Sequence, residues 1–234
     1  MPKIFAISDL HLSFSANKPM DVFGSRWENY EDRLFENWQK KVGKDDVVLM
    51  PGDSSWSTYI RDADKDFDFI NRLNGTKIIS KGNHDYWWET LSKLNGYLED
   101  KGFDTIRFIH NTNIVFGNVA VCGTKGYPEM ENIPHSDTDK KLYNRELLRL
   151  SNAISGAKQT GAEKIVVMLH YPPGASTEFA RLLQNECVDY CVFGHLHGRY
   201  DTATCGNVRG VEYKLVSCDY LKFDPLEICE FKKM

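Results

Sequence analysis

The segment TKIISKGNHD (residues 76–85) joins a short β-branched run to a polar loop. Such a run, bounded by turn residues, predicts a buried strand over TKIIS. The loop then presents an amide, an imidazole and a carboxylate in succession, from Asn83, His84 and Asp85. A turn alone would need only the Gly-Asn pair, so the loop predicts a chemical role at the end of a strand.

Four more apolar runs of this kind alternate with segments of helical period, such as Tyr30–Val42 and Asp62–Leu73. The runs are KIFAIS (3–8), DVVLMPG (46–52), EKIVVML (163–169) and DYCVFG (189–194). This alternation is typical of an α/β protein whose strands are buried on both faces.

Other segments have the alternating pattern of antiparallel strands. Residues 105–124 predict two or three strands with a hairpin turn at 116–118, and residues 211–221 and 227–231 predict two more. We therefore expect an α/β fold, a four-layer αββα sandwich in which helices flank two packed mixed sheets. Because no repeat or linker marks a boundary, we expect residues 1–234 to form a single domain.

Two regions do not fit this scaffold. Residues 12–27 form a long loop after the first strand, and loops of that length are more often functional than idle. Residues 125–158 hold a polar loop and then a helix, and we expect them to be an insertion on the substrate side. The basic stripe of that helix, Lys141, Arg145 and Arg149, is interpreted as a solvated face.

Composition restricts the class of protein. The 234 residues are 41% hydrophobic, enough for a sizeable core, and no apolar run approaches the roughly 20 residues of a membrane helix. The net charge of −4 gives no general attraction to a nucleic acid backbone, so phosphate binding would need a local site. The six cysteines form no CxxC pair, which argues against a disulfide framework and a thiolate zinc site. We expect a cytoplasmic protein, and the sequence leaves its oligomeric state open.

Five strand-like runs end in polar residues that can bind metal ions. They are Asp9 and His11, Asp53, Asn83 with His84 and Asp85, His170, and His195 with His197. Residues at i and i+2 of an extended segment share one side, and the carboxyl ends of strands in an open α/β sheet face one crevice. Imidazole, carboxylate and amide donors without thiolate suit Mn, Fe, Co, Ni or Zn. Because there are too many donors for one tetrahedral ion, the set predicts two metal ions that share a bridging group.

The order D-x-H, G-D, G-N-H-D, H and G-H-x-H resembles the calcineurin-like metallophosphoesterase family, and it extends from the first strand to residue 197. The stretches KPMDVFGSRW (18–27) and YNRELLRL (143–150) also resemble a bacterial subgroup of predicted phosphohydrolases. The family resemblance implies two divalent or trivalent transition-metal ions. The first would be held by Asp9, His11 and His197, the second by Asn83, His170 and His195, and Asp53 would bridge them.

The same resemblance implies hydrolysis of a phosphate ester by a hydroxide that bridges the two metals. In this pattern His84 protonates the leaving oxygen or stabilises charge on it, and Asp85 accepts the other ring N–H of His84 and fixes its orientation. Asp85 has an alternative role as the N-cap of a helix that starts at Tyr86. Two divalent ions, two aspartates and one hydroxide leave a charge of +1, from +4 −2 −1, which would attract a phosphate anion.

Four residues are candidate substrate contacts. The segments of Arg26, Lys125 and Tyr127 are expected to overhang the cleft, and Tyr171, which follows His170, is expected to line the pocket. The leading hypothesis is a phosphoesterase that acts on a small phosphorylated molecule. A nuclease or a cyclic-nucleotide phosphodiesterase is the second hypothesis, although the low basicity disfavours nucleic acid as a partner. A non-catalytic interaction scaffold with the same fold is the third.

Overall fold

Buried strands alternate with amphipathic helices along most of the chain, as the sequence pattern predicts. The computed structural model describes residues 1–16, 18–128 and 136–233. Its strands are β1 (Lys3–Ala6), β2 (Val47–Pro51), β3 (Thr76–Ser80), β4 (Ile106–Phe108), β5 (Asn113–Phe116), β6 (Val119–Thr124), β7 (Lys164–Leu169), β8 (Tyr190–Phe193), β9 (Gly206–Val208), β10 (Val211–Leu215) and β11 (Leu226–Glu230). Its α-helices are α1 (Tyr30–Lys41), α2 (Asp64–Arg72), α3 (Leu91–Lys101), α4 (Asp137–Gln159) and α5 (Glu178–Asn185).

The strands form two mixed sheets. The first has the order β11-β1-β2-β3-β4, in which β11 is antiparallel to β1 and the other neighbours are parallel. The second has the order β5-β6-β7-β8-β10-β9, in which only β5 and β9 run antiparallel to their neighbours. Gly117 and Asn118 connect β5 to β6 in the predicted hairpin.

Side chains of each central strand alternate between two apolar layers, as the pleat requires. In β2, Val48 and Met50 pack in the cluster that includes α1 and α2, whereas Val47 and Leu49 pack in a cluster shared with the second sheet. A third cluster fills the space between the second sheet and α4 and α5. Burial of each such side chain contributes about 1.5–3 kcal/mol. Helix, sheet, sheet and helix thus form four layers, which confirms the predicted αββα sandwich.

Helix α4 belongs to the outer layer of the second sheet. Tyr143, Leu150, Ile154 and Ala157 are buried against that sheet, so the predicted apolar face of the helix is the face that packs. Residues 129–135 of the predicted insertion lie outside the described residues. The assignment of residues 125–158 as a substrate-side insertion stays a prediction.

Two further observations concern the chain as a whole. Within the described ranges, no helix is long and apolar enough to cross a membrane. All six cysteines lie in those ranges, and each has a free thiol. Burial raises the pKa of the Cys122 thiol to about 12, so this thiol is protonated and packs as a small apolar group.

The loop after β2 is held by a buried carboxylate. Asp66 of α2 accepts hydrogen bonds from the hydroxyls of Ser55 and Ser57, and all three residues are buried. The same loop pairs with the segment after β1, because the backbone N–H of Trp56 donates to the carbonyl of Leu12 at 2.9 Å. Asp66 therefore fixes the position of the segment that contains Trp56, at the edge of the cleft.

We expect Asp66→Ala to lower the free energy of unfolding by about 2–4 kcal/mol, because two buried hydroxyls lose their acceptor and a void forms. Asp68→Ala on the same helix is the control, since Asp68 is exposed and its ion pair with Arg72 is a surface pair. Urea unfolding measures both. Equal losses in the two variants would contradict the anchoring role of Asp66.

Candidate metal centre

All seven predicted metal ligands lie together at the carboxyl ends of the central strands. The first sheet supplies Asp9 and His11 after β1, Asp53 after β2 and Asn83 after β3, and the second sheet supplies His170 after β7 and His195 and His197 after β8. Both sheets therefore deliver donors to one cleft, as the rule for open α/β sheets predicts.

The backbone at four of these residues is in the left-handed region. Asp9, His11, Asp53 and His195 have φ values of 59°, 48°, 53° and 71°. Such values are uncommon for residues other than glycine and cost on the order of 1–3 kcal/mol each. Four strained positions among seven predicted ligands indicate that the surrounding packing holds the backbone where the donors must point.

Glycine is required where these loops approach one another. A Cβ at Gly82 would collide with Oδ1 and the backbone nitrogen of Asp53. A Cβ at Gly194 would collide with Oδ2 of Asp9 and the hydroxyl of Ser8. The glycines of G-N-H-D and G-H-x-H therefore allow one loop to lie directly against the carboxylate of another.

Asp9, His11 and His197 form the first ligand group. The distance from Asp9 Oδ1 to His197 Nε2 is 3.5 Å, and the distance between the Nε2 atoms of His11 and His197 is 3.3 Å. The other oxygen, Oδ2 of Asp9, accepts the Ser8 hydroxyl at 2.5 Å and the His195 N–H at 3.1 Å. Oδ1 of Asp9 also accepts the His195 N–H at 3.1 Å, so these donors fix the carboxylate with Oδ1 facing the centre.

The second ligand group is formed by Asn83, His170 and His195. Asn83 Oδ1 lies 2.7 Å from His170 Nε2 and 2.9 Å from His195 Nδ1. Oδ2 of Asp53 lies 3.5 Å from His170 Nε2 and 3.8 Å from His11 Nε2. Asp53 is therefore placed between the two groups, where a bridging ligand has to be.

Hydrogen bonding around His170 supports a metal ligand at this position. Its Nδ1 lies 3.0 Å from the carbonyl oxygen of Pro51, which accepts the ring proton. Nε2 of the neutral imidazole then carries a lone pair, and this lone pair faces Asn83 Oδ1. Two acceptors that point at one volume are stabilised by a cation bound to both.

Burial sets the protonation of the centre. It lowers the pKa of His11 to about 3 and that of His170 to about 4, so both imidazoles are neutral near pH 7. Burial, together with the charges of Asp85 and Asp9, raises the pKa of Asp53. Burial also opposes ionisation of Asp9, but the hydrogen bond and charge of His197 hold the pKa of Asp9 below its usual value.

Imidazole and buried carboxylate groups form a donor set that fits transition-metal ions. The ligand atoms of Asp9, His11 and His197 lie within 4.8 Å of one another. Those of Asp9, Asp53 and His170 do so as well. The described residues could therefore hold metal at two adjacent positions.

Residues 2–199 match the sequence model of the calcineurin-like phosphoesterases. The chain belongs to this family. Family membership supports metal-dependent hydrolysis of phosphate esters, and the described residues include Asp and His groups that could hold metal.

Two solved structures with similar folds align with almost the whole chain. A protein of unknown function from Aquifex aeolicus has a TM-score of 0.53 and 18% sequence identity, over 97% of this chain and 96% of the other. The phosphopantetheinyl hydrolase of Mycobacterium tuberculosis has a TM-score of 0.57 and 13% identity, over 97% and 95%. Identities this low show a shared fold alone. The search of curated proteins finds no match.

His84 lies at the edge of the centre, and its contacts correct one expectation. Its ring is half-buried and packs against the ring of Trp56 at 4.6 Å between centroids, and its Nδ1 has no hydrogen-bond partner among the described residues. The Asp85 carboxylate instead accepts the backbone N–H groups of Gly82, Asp53 and Ser54, at 2.7–2.9 Å. The expected hydrogen bond from His84 to Asp85 is therefore not made, and Asp85 clamps the two ligand loops together.

The alternative role of Asp85 as a helix N-cap is wrong as well. The helix begins at Leu91 rather than at Tyr86, and the hydroxyl of Thr90 caps it by accepting the Lys93 N–H. The backbone N–H groups that donate to Asp85 belong to loops, since the residues directly after Gly82 form bends and turns rather than a helix.

The four candidate substrate contacts lie in different places. Tyr171 packs its ring against that of His195, 4.5 Å between centroids, and the Lys125 ammonium is 5.6 Å from the Tyr171 ring. Nε of Arg26 lies 3.6 Å from a carboxylate oxygen of Asp219. Tyr127 points elsewhere: its hydroxyl donates to Asp139 at the start of α4. Three of the four thus border the centre, and their roles in binding stay predictions.

Sequence reasoning missed two residues that support the ligands. Trp56 stacks on the ring of His11, with 4.8 Å between centroids and 23° between planes. The Asp219 side chain is wholly buried, and it lies 2.9 Å from His197 Nδ1 and accepts the Tyr200 hydroxyl at 2.6 Å. Asp219 follows β10, so the rule that flagged the other strand ends would have found it.

Asp219 controls the protonation and the orientation of His197. Burial alone would lower the pKa of His197, but its hydrogen bonds to Asp219 and Asp9 raise that pKa to about 10. Asp219 holds Nδ1, which leaves Nε2 of His197 directed at the centre. A metal ion bound there would displace the Nε2 proton, and Asp219 would orient the ligand.

We expect Asp219→Asn to weaken metal binding by about 10–100-fold, because His197 loses the carboxylate that orients it. Competition with a chromogenic chelator measures the affinity for Mn²⁺ and Zn²⁺. The control is Asp224→Asn, since Asp224 pairs with Lys41 at the surface. Equal affinity in wild type and Asp219→Asn would show that the carboxylate has only a structural role.

Proposed function

We propose that this protein is a dinuclear-metal phosphoesterase that hydrolyses phosphate esters, with a small phosphorylated molecule as its substrate. The observation that carries the proposal is the convergence of seven oxygen and nitrogen donors in two adjacent groups, with Asp53 between them. Family membership supports the reaction class. The identity of the metals, the cytoplasmic location and the small-molecule substrate extend beyond that support and belong to the proposal.

Asp9, His11 and His197 would hold one ion, and Asn83, His170 and His195 the other, with Asp53 shared. Bound ions would supply positive charge for the phosphoryl oxygens and would activate water as the nucleophile, so no covalent protein nucleophile is needed.

The remaining task falls to His84. Its backbone N–H donates to Asp53 Oδ1 at 2.8 Å, which fixes the residue next to the predicted bridging ligand. Trp56 packs against the ring of His84, and the half-buried position of His84 leaves its imidazole open to the cleft. His84 is therefore placed to protonate the departing oxygen or to stabilise charge on it.

The first test compares hydrolysis of para-nitrophenyl phosphate and bis-para-nitrophenyl phosphate by metal-stripped protein resupplied with Mn²⁺. The proposal expects metal-dependent hydrolysis with preference for the monoester. Preference for the diester would favour the phosphodiesterase hypothesis, since the same centre serves both ester classes. Failure to cleave either with Mn, Fe, Co, Ni or Zn would contradict the proposal and favour the interaction scaffold.

We expect Asp53→Asn to lose bound metal and most of its activity, because the shared ligand loses its negative charge. Plasma emission spectroscopy measures the metal content, and the monoester assay measures the rate. Asp68→Asn, an exposed position, is the control for the loss of one negative charge. Full metal occupancy in Asp53→Asn would remove Asp53 from the bridging position.

For His84→Ala we expect full metal content and a rate loss of about 10²–10⁴ on an alkyl phosphate, the range for a general acid. An aryl phosphate with a good leaving group should lose much less, because its leaving oxygen needs no proton. The ratio of the two losses serves as an internal control. Unchanged turnover of the alkyl phosphate would argue against this role of His84.

A further inference from the structure

Four cationic side chains lie beside the metal centre and are not explained by it. Lys81 follows β3, Lys125 follows β6, and Arg145 and Arg149 lie on consecutive turns of α4. We call these four residues the basic cluster. Lys81 precedes the predicted ligand Asn83 by two residues, so the cluster borders the second ligand group.

One buried carboxylate partly neutralises the cluster. Glu146 has 4% of its surface exposed, and its Oε1 lies 2.5 Å from Arg149 Nη1 and 4.0 Å from Arg145 Nε. Its Oε2 accepts the hydroxyl of Thr124, the last residue of β6, at 2.5 Å. Four positive charges and one negative charge leave +3, from +4 −1. Arg149 is therefore only partly solvated, with 31% of its side chain exposed, whereas the sequence pattern predicts a solvated face.

Lys125 is connected to the centre through its backbone. Its carbonyl accepts the N–H groups of both His170 and Tyr171 at 3.1 Å, which ties its backbone to a predicted ligand. Its side chain is half-buried, and neither Lys125 nor Lys81 forms an ion pair within the part of the chain that the structure describes. A half-buried ammonium without a carboxylate partner is costly to maintain unless an anion arrives to pair with it.

The charges of the cluster act on one another. Burial lowers the pKa of Lys125, Glu146 opposes this, and the charges of Lys81 and Arg145 lower it further. Burial also lowers the pKa of His110, and the charges of Arg149, Lys81 and Arg145 add to this effect. The contacts of Glu146 place the cations together, because this carboxylate pairs with Arg149 and Arg145 and accepts the hydroxyl of Thr124, the residue before Lys125.

We propose that the basic cluster is a subsite for a second phosphate group of the substrate whose ester is cleaved at the metal centre. The substrate class is then a small molecule with two phosphate groups, such as a nucleoside bisphosphate. This proposal rests on the proposed function. A charge of +3 complements a phosphate dianion, and arginine offers the planar donors that bind its oxygens.

The subsite is tested first without turnover. Inorganic pyrophosphate is titrated calorimetrically into metal-stripped protein, so that no bound metal ion attracts the anion. Removal of one charge in Lys125→Gln or Arg145→Gln is expected to weaken binding about fivefold, the effect of roughly 1 kcal/mol. Lys141→Gln, an exposed cation on the same helix, should bind as the wild type does.

One variant shifts the affinity in the opposite direction. Glu146→Gln keeps the shape and the hydrogen bond to Thr124 but raises the cluster from +3 to +4, so we expect tighter binding of pyrophosphate. Arg145 is exposed, which makes Arg145→Gln the variant least able to disturb folding. Absence of pyrophosphate binding to the wild type, or equal affinity in all variants, would overturn the subsite.

The kinetic test uses metal-loaded protein and compares a nucleoside 3′,5′-bisphosphate with the matching 5′-monophosphate. We expect the wild type to prefer the bisphosphate, and the ratio of the two kcat/KM values to fall about fivefold in Lys125→Gln and Arg145→Gln but not in Lys141→Gln. Hydrolysis of both substrates with a ratio that no variant changes would overturn the subsite and leave the proposed function intact. Hydrolysis of neither, with pyrophosphate still bound by the cluster, would overturn the proposed function and leave the subsite intact.

Discussion

Two carboxylates buried among imidazoles are the constraint on which the rest of this structure depends. Asp9 and Asp53 lie at most 1% exposed, and burial penalises their ionised forms. Removing such charges from water costs several kcal/mol per ion unless partners compensate. Hydrogen bonds compensate both oxygens of Asp9 and Oδ1 of Asp53, while Oδ1 of Asp9 and Oδ2 of Asp53 also face the centre. The fold thus maintains a concentration of negative charge and lone pairs that metal cations would neutralise.

The sandwich supplies the rigidity that this arrangement needs. Parallel strands in both sheets end at the same edge, so short loops can bring donors from β1, β2, β3, β7 and β8 into one volume. Strained backbone at four of these positions persists because the loops are packed against one another. Asp85 joins two of them by accepting three backbone N–H groups, and Asp66 holds the loop that carries Trp56. The packing of the layers and loops therefore holds the donor side chains in fixed positions at the centre.

The sequence allowed prediction of the layers and of the strand ends that converge, because both follow from local pattern. The continuous apolar run of β2 predicts burial on both faces, and polar residues at strand ends predict convergence. Contacts between distant segments could not be predicted in this way. The carboxylate of Asp219 reaches His197 across 22 positions of sequence, and Asp85 binds the loop around Asp53 rather than its neighbour His84. Side-chain direction within a loop depends on the packing of other loops, which no local pattern records.

The contacts of the basic stripe of α4 also depend on packing that no local pattern records. A helical wheel places Arg145 and Arg149 opposite the apolar face, yet Arg149 turns back to the buried Glu146, beside the end of β6. A net charge of −4 repels a polyanion at long range, whereas salt screens interactions beyond a Debye length of about 8 Å and leaves a local cluster effective. A long nucleic acid would extend beyond the cleft over a protein whose net charge is −4. A small molecule with two phosphates would meet only the metal centre and the basic cluster, and the charge distribution therefore favours it.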